Sequence, residues 1–319
     1  MDGWKNRCRR LIVDLEQHIV LQLEQLGLSN PVLLERIERG QSNTCFSCTG
    51  SGVQWFVKYL PPGQYNPRWD CERHLEVWAA NNQFGLPPSY ISQDRRLLVY
   101  PWLSGGDYGH LKNTAQGIVA SASIICRMVA SSQPPALLQR LSRLDPIHDL
   151  IGYRRRLLSQ IESPCGDLQQ LLITAQALAP IMQSYQVSES VDRLRICHND
   201  ISLANLLHSA TGGVLIDWEY ASLGVIEQEL GFCSEINNLT HHEYATLCSI
   251  YRHDSGQPLC ARGLQLWRRY AQVVNALWFY EQGLNPQESA SRRQYFNDMC
   301  CERVKKISVE SNFTVDLYS

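Results

Sequence analysis

Leu11, Ile12, Leu15, Ile19, Val20, Leu23 and Leu26 recur at helical spacing and stop at Gly27, which predicts an opening helix over residues 8–28. The texture then turns strand-like. Leu33-Leu34-Glu35-Arg36-Ile37 runs into Gly40-Gln-Ser-Asn-Thr44, and Gly50-Ser-Gly52 precedes Val53-Gln-Trp-Phe-Val57-Lys58. This reads as three strands separated by polar turns. Pro61-Pro62-Gly63 closes the run, residues 70–82 read as a helix, and Tyr90-Ile91 and Leu97-Leu98-Val99-Tyr100 as two further strands.

Beyond about residue 110 the apolar positions return to helical spacing, with candidate helices over 112–131, 147–161, 166–185, 241–252, 262–281 and 289–306. One short β-like island interrupts them at 205–217. A β-rich first third followed by a helical remainder suits an α+β chain rather than a doubly wound sheet. Pro101 and Gly105-Gly106 suit a hinge, so the expected lobes are 1–102 and 103–319. There are no internal repeats and no low-complexity linker.

Composition narrows the classes. With 319 residues, 44% hydrophobic and 19% charged, the chain can bury a substantial core. A formal net charge of −2 supplies no basic field for nucleic acid or anionic lipid, so neither is an expected partner. The opening MDGWKNRCRRLIVDLEQ lacks the apolar core of a signal peptide, and no apolar run approaches the ~18 residues of a membrane span. Twelve cysteines show no paired metal spacing; Cys45 and Cys48 form a lone CxxC. The expectation is a cytoplasmic protein with reduced thiols.

The chemistry concentrates in Cys197-His-Asn-Asp-Ile-Ser-Leu-Ala-Asn-Leu-Leu207 and in Val214-Leu-Ile-Asp-Trp-Glu-Tyr220. Ala210-Thr-Gly-Gly213 reads as a hairpin turn, and Asn205 and Asp217 each lie six positions from its midpoint. A regular hairpin would bring them together at its open end. One neutral and one anionic oxygen ligand suit Mg²⁺, which takes few protein ligands and keeps waters and phosphates. Asp200 sits in the feeding loop, where a carboxylate can take the proton of an incoming nucleophile.

HNDISLAN followed by LIDWEYA resembles the aminoglycoside phosphotransferase and choline kinase family, small-molecule relatives of protein kinases, from roughly residue 30 onward. The resemblance implies a two-lobed protein-kinase-like fold, with a small β-rich N-lobe and a larger helical C-lobe, and ATP and Mg²⁺ as cofactors. It makes Asp200 the catalytic base, groups His198 with it as the histidine that mainly holds the loop, and makes Asn205 and Asp217 the metal ligands and Glu219 the second acid of the element, assigned to the substrate. Arg39-Gly40-Gln41-Ser42-Asn43 looks like the family's phosphate turn, with Arg39 in place of its first glycine. Lys58 falls on the strand lysine that contacts the nucleotide phosphates, and a lysine in an apolar strand is costly unless paired. Glu72 and Glu76 share one face of the next helix; a strict register gives His74, and we expect Glu72 to be the partner of Lys58. Tyr100 and Trp102 fall on the segment that carries the adenine.

The wording NLLHSATGGVLIDWEYA with a Glu229-Leu230 ending most resembles bacterial thiamine kinases, which implies transfer of the γ-phosphate to the primary alcohol of thiamine. Choline or ethanolamine kinase and aminoglycoside phosphotransferase are the alternatives, and a nucleotide-binding pseudokinase scaffold is the alternative of another class. The presence of Lys58, Asp200, Asn205 and Asp217 together favours an enzyme acting on a small cationic alcohol. Trp278 is a candidate cation–π wall for that substrate, although core packing is the default for Trp267, Trp278, Phe279 and Tyr280. Glu227, Glu229 and Glu235 read as a solvated face, and His208, His241 and His242 as surface or capping residues.

Overall fold

A computed structural model describes residues 15–37, 44–60, 69–112, 114–161, 166–209, 212–286 and 288–311. The expected phosphate turn with Ser42 and Asn43, the Pro61-Pro62-Gly63 stop, residues 8–14 of the opening helix and the hairpin tip at Ala210 and Thr211 lie outside them. The chain forms two compact units, residues 1–106 with 207–219, and residues 107–206 with 220–319. The sequence assigns the hairpin to the helical part, whereas its contacts group it with the sheet.

The first unit contains α1 (15–25) and an antiparallel sheet of β1 (Val32–Ile37), β2 (Thr44–Gly50), β3 (Val53–Tyr59), β4 (Tyr90–Ile91) and β5 (Leu97–Pro101) in the order β1-β2-β3-β5-β4. Strand alternation divides its side chains between two faces. Val57, Tyr59, Leu97 and Val99 pack with Ile19 and Leu23 of α1. The intervening positions belong to the opposite face, where Leu98 and Tyr100 pack with Trp69 of α2 (Trp69–Asn81) and with Phe56. Lys58 opposes Leu98 in the β3–β5 register, so period 2 alone assigns it to the α2 face.

The hairpin of β7 (Leu206–Ser209) and β8 (Gly212–Leu215) is tied to this unit at both ends. His208 N donates to Gly106 O at 2.9 Å, and Leu215 N donates to Phe84 O at 2.8 Å. Trp218 is buried with its ring edge-on to Trp78 of α2, centroids 5.8 Å apart.

The second unit carries α3 (Ala115–Ala130), α4 (Pro135–Leu138), α5 (Gly152–Gln160), α6 (Gly166–Ser188), α7 (Ile226–Ile236), α8 (His241–Ser255), α9 (Ala261–Leu284) and α10 (Ala290–Ser311). Beside them, β6 (Arg195–Cys197) pairs antiparallel with β9 (Ser222–Gly224). Its core collects Leu172, Met182, Trp267, Tyr270, Val273, Leu277 and Val304 from α6, α9 and α10. Gly231 lets α7 approach α9 closely, since a Cβ there would meet the Trp267 carbonyl carbon at 2.8 Å.

Helix α7 is the element that hydrophobic spacing missed, and its acids correct an expectation. Glu227, Glu229 and Glu235 are 0%, 1% and 1% exposed rather than a solvated face. Each is compensated, as a buried carboxylate must be. Arg193 Nη2 and Cys260 N donate to Glu227 Oε1 at 2.5 and 2.6 Å. Lys306 Nζ reaches both oxygens of Glu235 at 3.2 Å. Among the described residues no helix is long and apolar enough to cross a membrane, and all described cysteines are free.

Candidate functional site

In the first unit, Lys58 Nζ lies 3.3 Å from Asp217 Oδ1 and 4.0 Å from Glu72 Oε1. The lysine side chain is 14% exposed. Burial works against its charge, but Asp217 first, then Glu72 and Glu219, more than offset that and hold the ammonium above its usual range. Lys58 is therefore a fixed cation. Asp217 adopts a left-handed backbone, φ +68°, a conformation that strains most residues and is tolerated best by Asp and Asn. The strain is held by the Leu215–Phe84 bond and the Trp218–Trp78 packing on either side.

Glu72 is the acid that meets Lys58, while His74 is exposed with its Nδ1 2.5 Å from Asp70 O. The Lys58 carboxylates also include Glu219, expected with the acceptor: it follows Trp218 in the turn Trp218–Tyr220 and adds to the field on Lys58. Tyr100 is 7% exposed; its hydroxyl accepts from Arg73 Nη1 at 2.5 Å and donates to Glu76 Oε1 at 3.2 Å. Its side chain is thus committed to α2. Trp102 is 36% exposed, and its N donates to Gln54 O at 3.3 Å.

In the second unit, the loop after β6 carries Asp200 and Asn205. Asn205 Nδ2 donates to Asp200 Oδ2 at 2.8 Å and to Asp200 O at 3.1 Å. Both amide hydrogens are thereby used, and the side-chain carbonyl oxygen is the acceptor atom of Asn205. His198 is fully buried, and its Nδ1 accepts from Asp200 N at 3.2 Å. That bond fits the loop-holding part expected of it.

The loop is held from α7 by residues the sequence reading missed. Glu229 accepts the backbone N–H of His198, and that of Asn199 at 3.1 Å. Asn199, at φ +64°, donates to Tyr220 O at 2.8 Å and Ser222 Oγ at 2.9 Å. Asn237 accepts from Leu203 N at 3.0 Å and donates to Ile201 O at 2.8 Å. The available signal was Gln228-Glu229 in an otherwise apolar segment, polar groups that a buried helix carries only when they bond. Trp278 lies on α9 edge-on to Phe279 and to Phe296 of α10, at centroid distances of 5.1 and 5.7 Å. Those contacts support the packing role rather than a substrate wall.

Each unit carries an oxygen suited to a hard cation of the Mg²⁺ type: the Asp217 carboxylate in the first, and the Asn205 side-chain carbonyl in the second. Among the described residues no group of three or more His, Cys, Asp or Glu forms a metal cluster.

A family profile described as the phosphotransferase enzyme family matches residues 34–272. The thiamine kinase of Escherichia coli K12 is 36% identical over 91 residues, which is 27% of this chain and 31% of that one. The chain thus spans about a third of the length of the curated relatives it matches. Among solved structures, a choline/ethanolamine kinase family protein from Mesorhizobium loti aligns with a TM-score of 0.67 and 16% identity, over 93% of this chain and 94% of that one. A spectinomycin phosphotransferase in complex with ADP and spectinomycin gives 0.66 and 15%, over 92% and 98%. The choline kinase LicA from Streptococcus pneumoniae gives 0.65 and 18%, over 93% and 99%. The fold is therefore protein-kinase-like.

Proposed function

This chain belongs to the phosphotransferase enzyme family, and from that premise we propose that it transfers the γ-phosphoryl group of ATP to the primary alcohol of a small cationic acceptor, thiamine. The observation that supports the transfer chemistry best is the Asp200–Asn205 hydrogen bond, which holds a carboxylate beside an amide in one loop.

Asp200 orients the acceptor hydroxyl and takes its proton. Its carboxylate is aimed beforehand by Asn205, and its backbone by His198 and Glu229. Lys58 binds nucleotide phosphate as a permanent cation, ready to turn from Asp217 and Glu72 to the phosphate oxygens. Asn205 and Asp217 would hold Mg²⁺, which supplies charge neutralisation at the phosphates when bound. Ser42 and Asn43 remain the assigned backbone cradle for the phosphates, and Trp102 the residue beside the base. Glu219 stays assigned to the acceptor, and its charge also adds to the field on Lys58.

The local stretch shared with thiamine kinases favours thiamine. The Asp217-Trp-Glu-Tyr-Ala221 wording keeps choline as the second reading. A panel measuring ADP release with thiamine, choline, ethanolamine and kanamycin tests the acceptor. We expect turnover on thiamine; turnover on choline alone replaces the substrate and keeps the chemistry. No turnover on any acceptor, with ATP still bound, favours the scaffold alternative.

A further inference from the structure

Helix α2 carries a buried charged face. Trp69, Glu72, Arg73 and Glu76 recur at helical spacing and are 5%, 6%, 9% and 4% exposed. Three charges on a buried face are costly unless they satisfy one another. They do so through Arg73. Its Nη2 lies 2.5 Å from Glu72 Oε1, and its Nη1 meets Glu76 Oε2 and lies 2.5 Å from the Tyr100 hydroxyl. The guanidinium also sits over the Trp69 ring, 5.3 Å from its centroid. A planar fork holds two carboxylates and a hydroxyl from two separate nitrogens, a span that the single nitrogen of a lysine lacks.

The Glu72 oxygen that binds Arg73 at 2.5 Å is the same one that stands 4.0 Å from Lys58. Arg73 is therefore the primary partner of Glu72, and Lys58 the secondary one. Tyr100 belongs to β5 and Lys58 to β3, adjacent strands of one sheet, and both side chains lie on its α2 face. A clamp between α2 and Tyr100 thus sets where the Glu72 carboxylate stands relative to the lysine.

We propose that Arg73 is a positioning residue of the nucleotide-phosphate site: by tying Glu72 and Glu76 to Tyr100, it holds Glu72 where that carboxylate orients Lys58 for phosphate. The inference rests on the reading of Lys58 as the phosphate-binding lysine. Arg73 acts through Glu72, so its effect is confined to the nucleotide.

The test is a double-mutant cycle on the full-length protein with Arg73→Lys, Glu72→Gln and the double variant. It measures Mg-ATP affinity by calorimetry, KM for ATP and for the acceptor, and Tm. Each single change is expected to weaken Mg-ATP roughly 10-fold, the scale of a lost charged hydrogen bond, with the acceptor KM unchanged. The double variant should be no weaker than Glu72→Gln alone, because Arg73 has nothing left to act through. Tyr100→Phe, which keeps the ring and removes the hydroxyl, should weaken Mg-ATP about 3-fold and serves if Arg73→Lys does not fold. Additive losses in the double variant overturn the proposal, as does a lower Tm with unchanged Mg-ATP affinity in Arg73→Lys or Tyr100→Phe. Wild-type protein that binds no Mg-ATP overturns the kinase reading first, before any variant is compared.

Discussion

Lys58 Nζ and Asp217 Oδ1 are 3.3 Å apart although 159 positions separate them in the chain. The contact joins a sheet interior to the far end of a hairpin. Its geometry depends on a left-handed Asp217, φ +68°, and on Trp218 packed against Trp78. Asp217→Asn keeps the shape and tolerates that backbone while removing the charge. We expect turnover to fall by on the order of 10²–10³ and the Mg²⁺ requirement to shift to higher concentration. A Mg²⁺ titration of the variant that superimposes on wild type would remove Asp217 from the metal.

Asp200→Asn leaves Asn205 an oxygen to donate to but removes the proton acceptor. The expected result is a loss in kcat on the order of 10²–10⁴ with KM for ATP unchanged. Steady-state kinetics decide it, and wild-type turnover in this variant sinks the assignment of the base.

Glu229 supplies a pH dependence. Burial lifts its carboxyl from 4.5 to about 7, against the opposing pull of the His198 and Asn199 amides. The folded chain thus holds this proton more tightly than the unfolded one. The resulting stabilisation is complete below about 4.5 and is lost as pH rises through about 7. Glu229→Gln cannot ionise, so its stability relative to wild type should grow by about 3 kcal/mol between about pH 4 and 8. Urea unfolding across that range measures the difference. Parallel curves would mean that Glu229 titrates at its ordinary value.

Trp278→Leu keeps an apolar side chain but loses two edge-on ring contacts, to Phe279 and Phe296. The structure leads us to expect a stability loss of about 1–3 kcal/mol with unchanged KM for the acceptor. A raised acceptor KM at unchanged Tm would restore the cation-wall role considered from sequence.

Much of this was legible along the chain, for local reasons. Period 2 over Val53–Tyr59 and Leu97–Pro101 placed Lys58 in a sheet, and period 3.6 marked α3, α6, α8, α9 and α10. The order His198, Asp200, Asn205, Asp217 was readable because motif chemistry depends on residue type and spacing. Helix α7 was not. Its acids looked solvated because sequence reports charge but not compensation: Glu227 is answered by Arg193, Glu229 by two backbone amides and Glu235 by Lys306. The same limit hid the role of Arg73 and the burial of the Tyr100 hydroxyl.

Neighbouring positions alone carried the α+β class and a roster of candidate site residues, since helix and strand periods and a loop motif are local properties. Only the tertiary structure decided which charges share a site. It chose Glu72 over His74 for Lys58 and brought the charge of Glu219 into the lysine's field. It also bonded Glu229 and Asn237 to the backbone of the loop after β6. Those outcomes depend on which distant groups desolvate one another, and a buried charge is tolerated only where the fold delivers its partner.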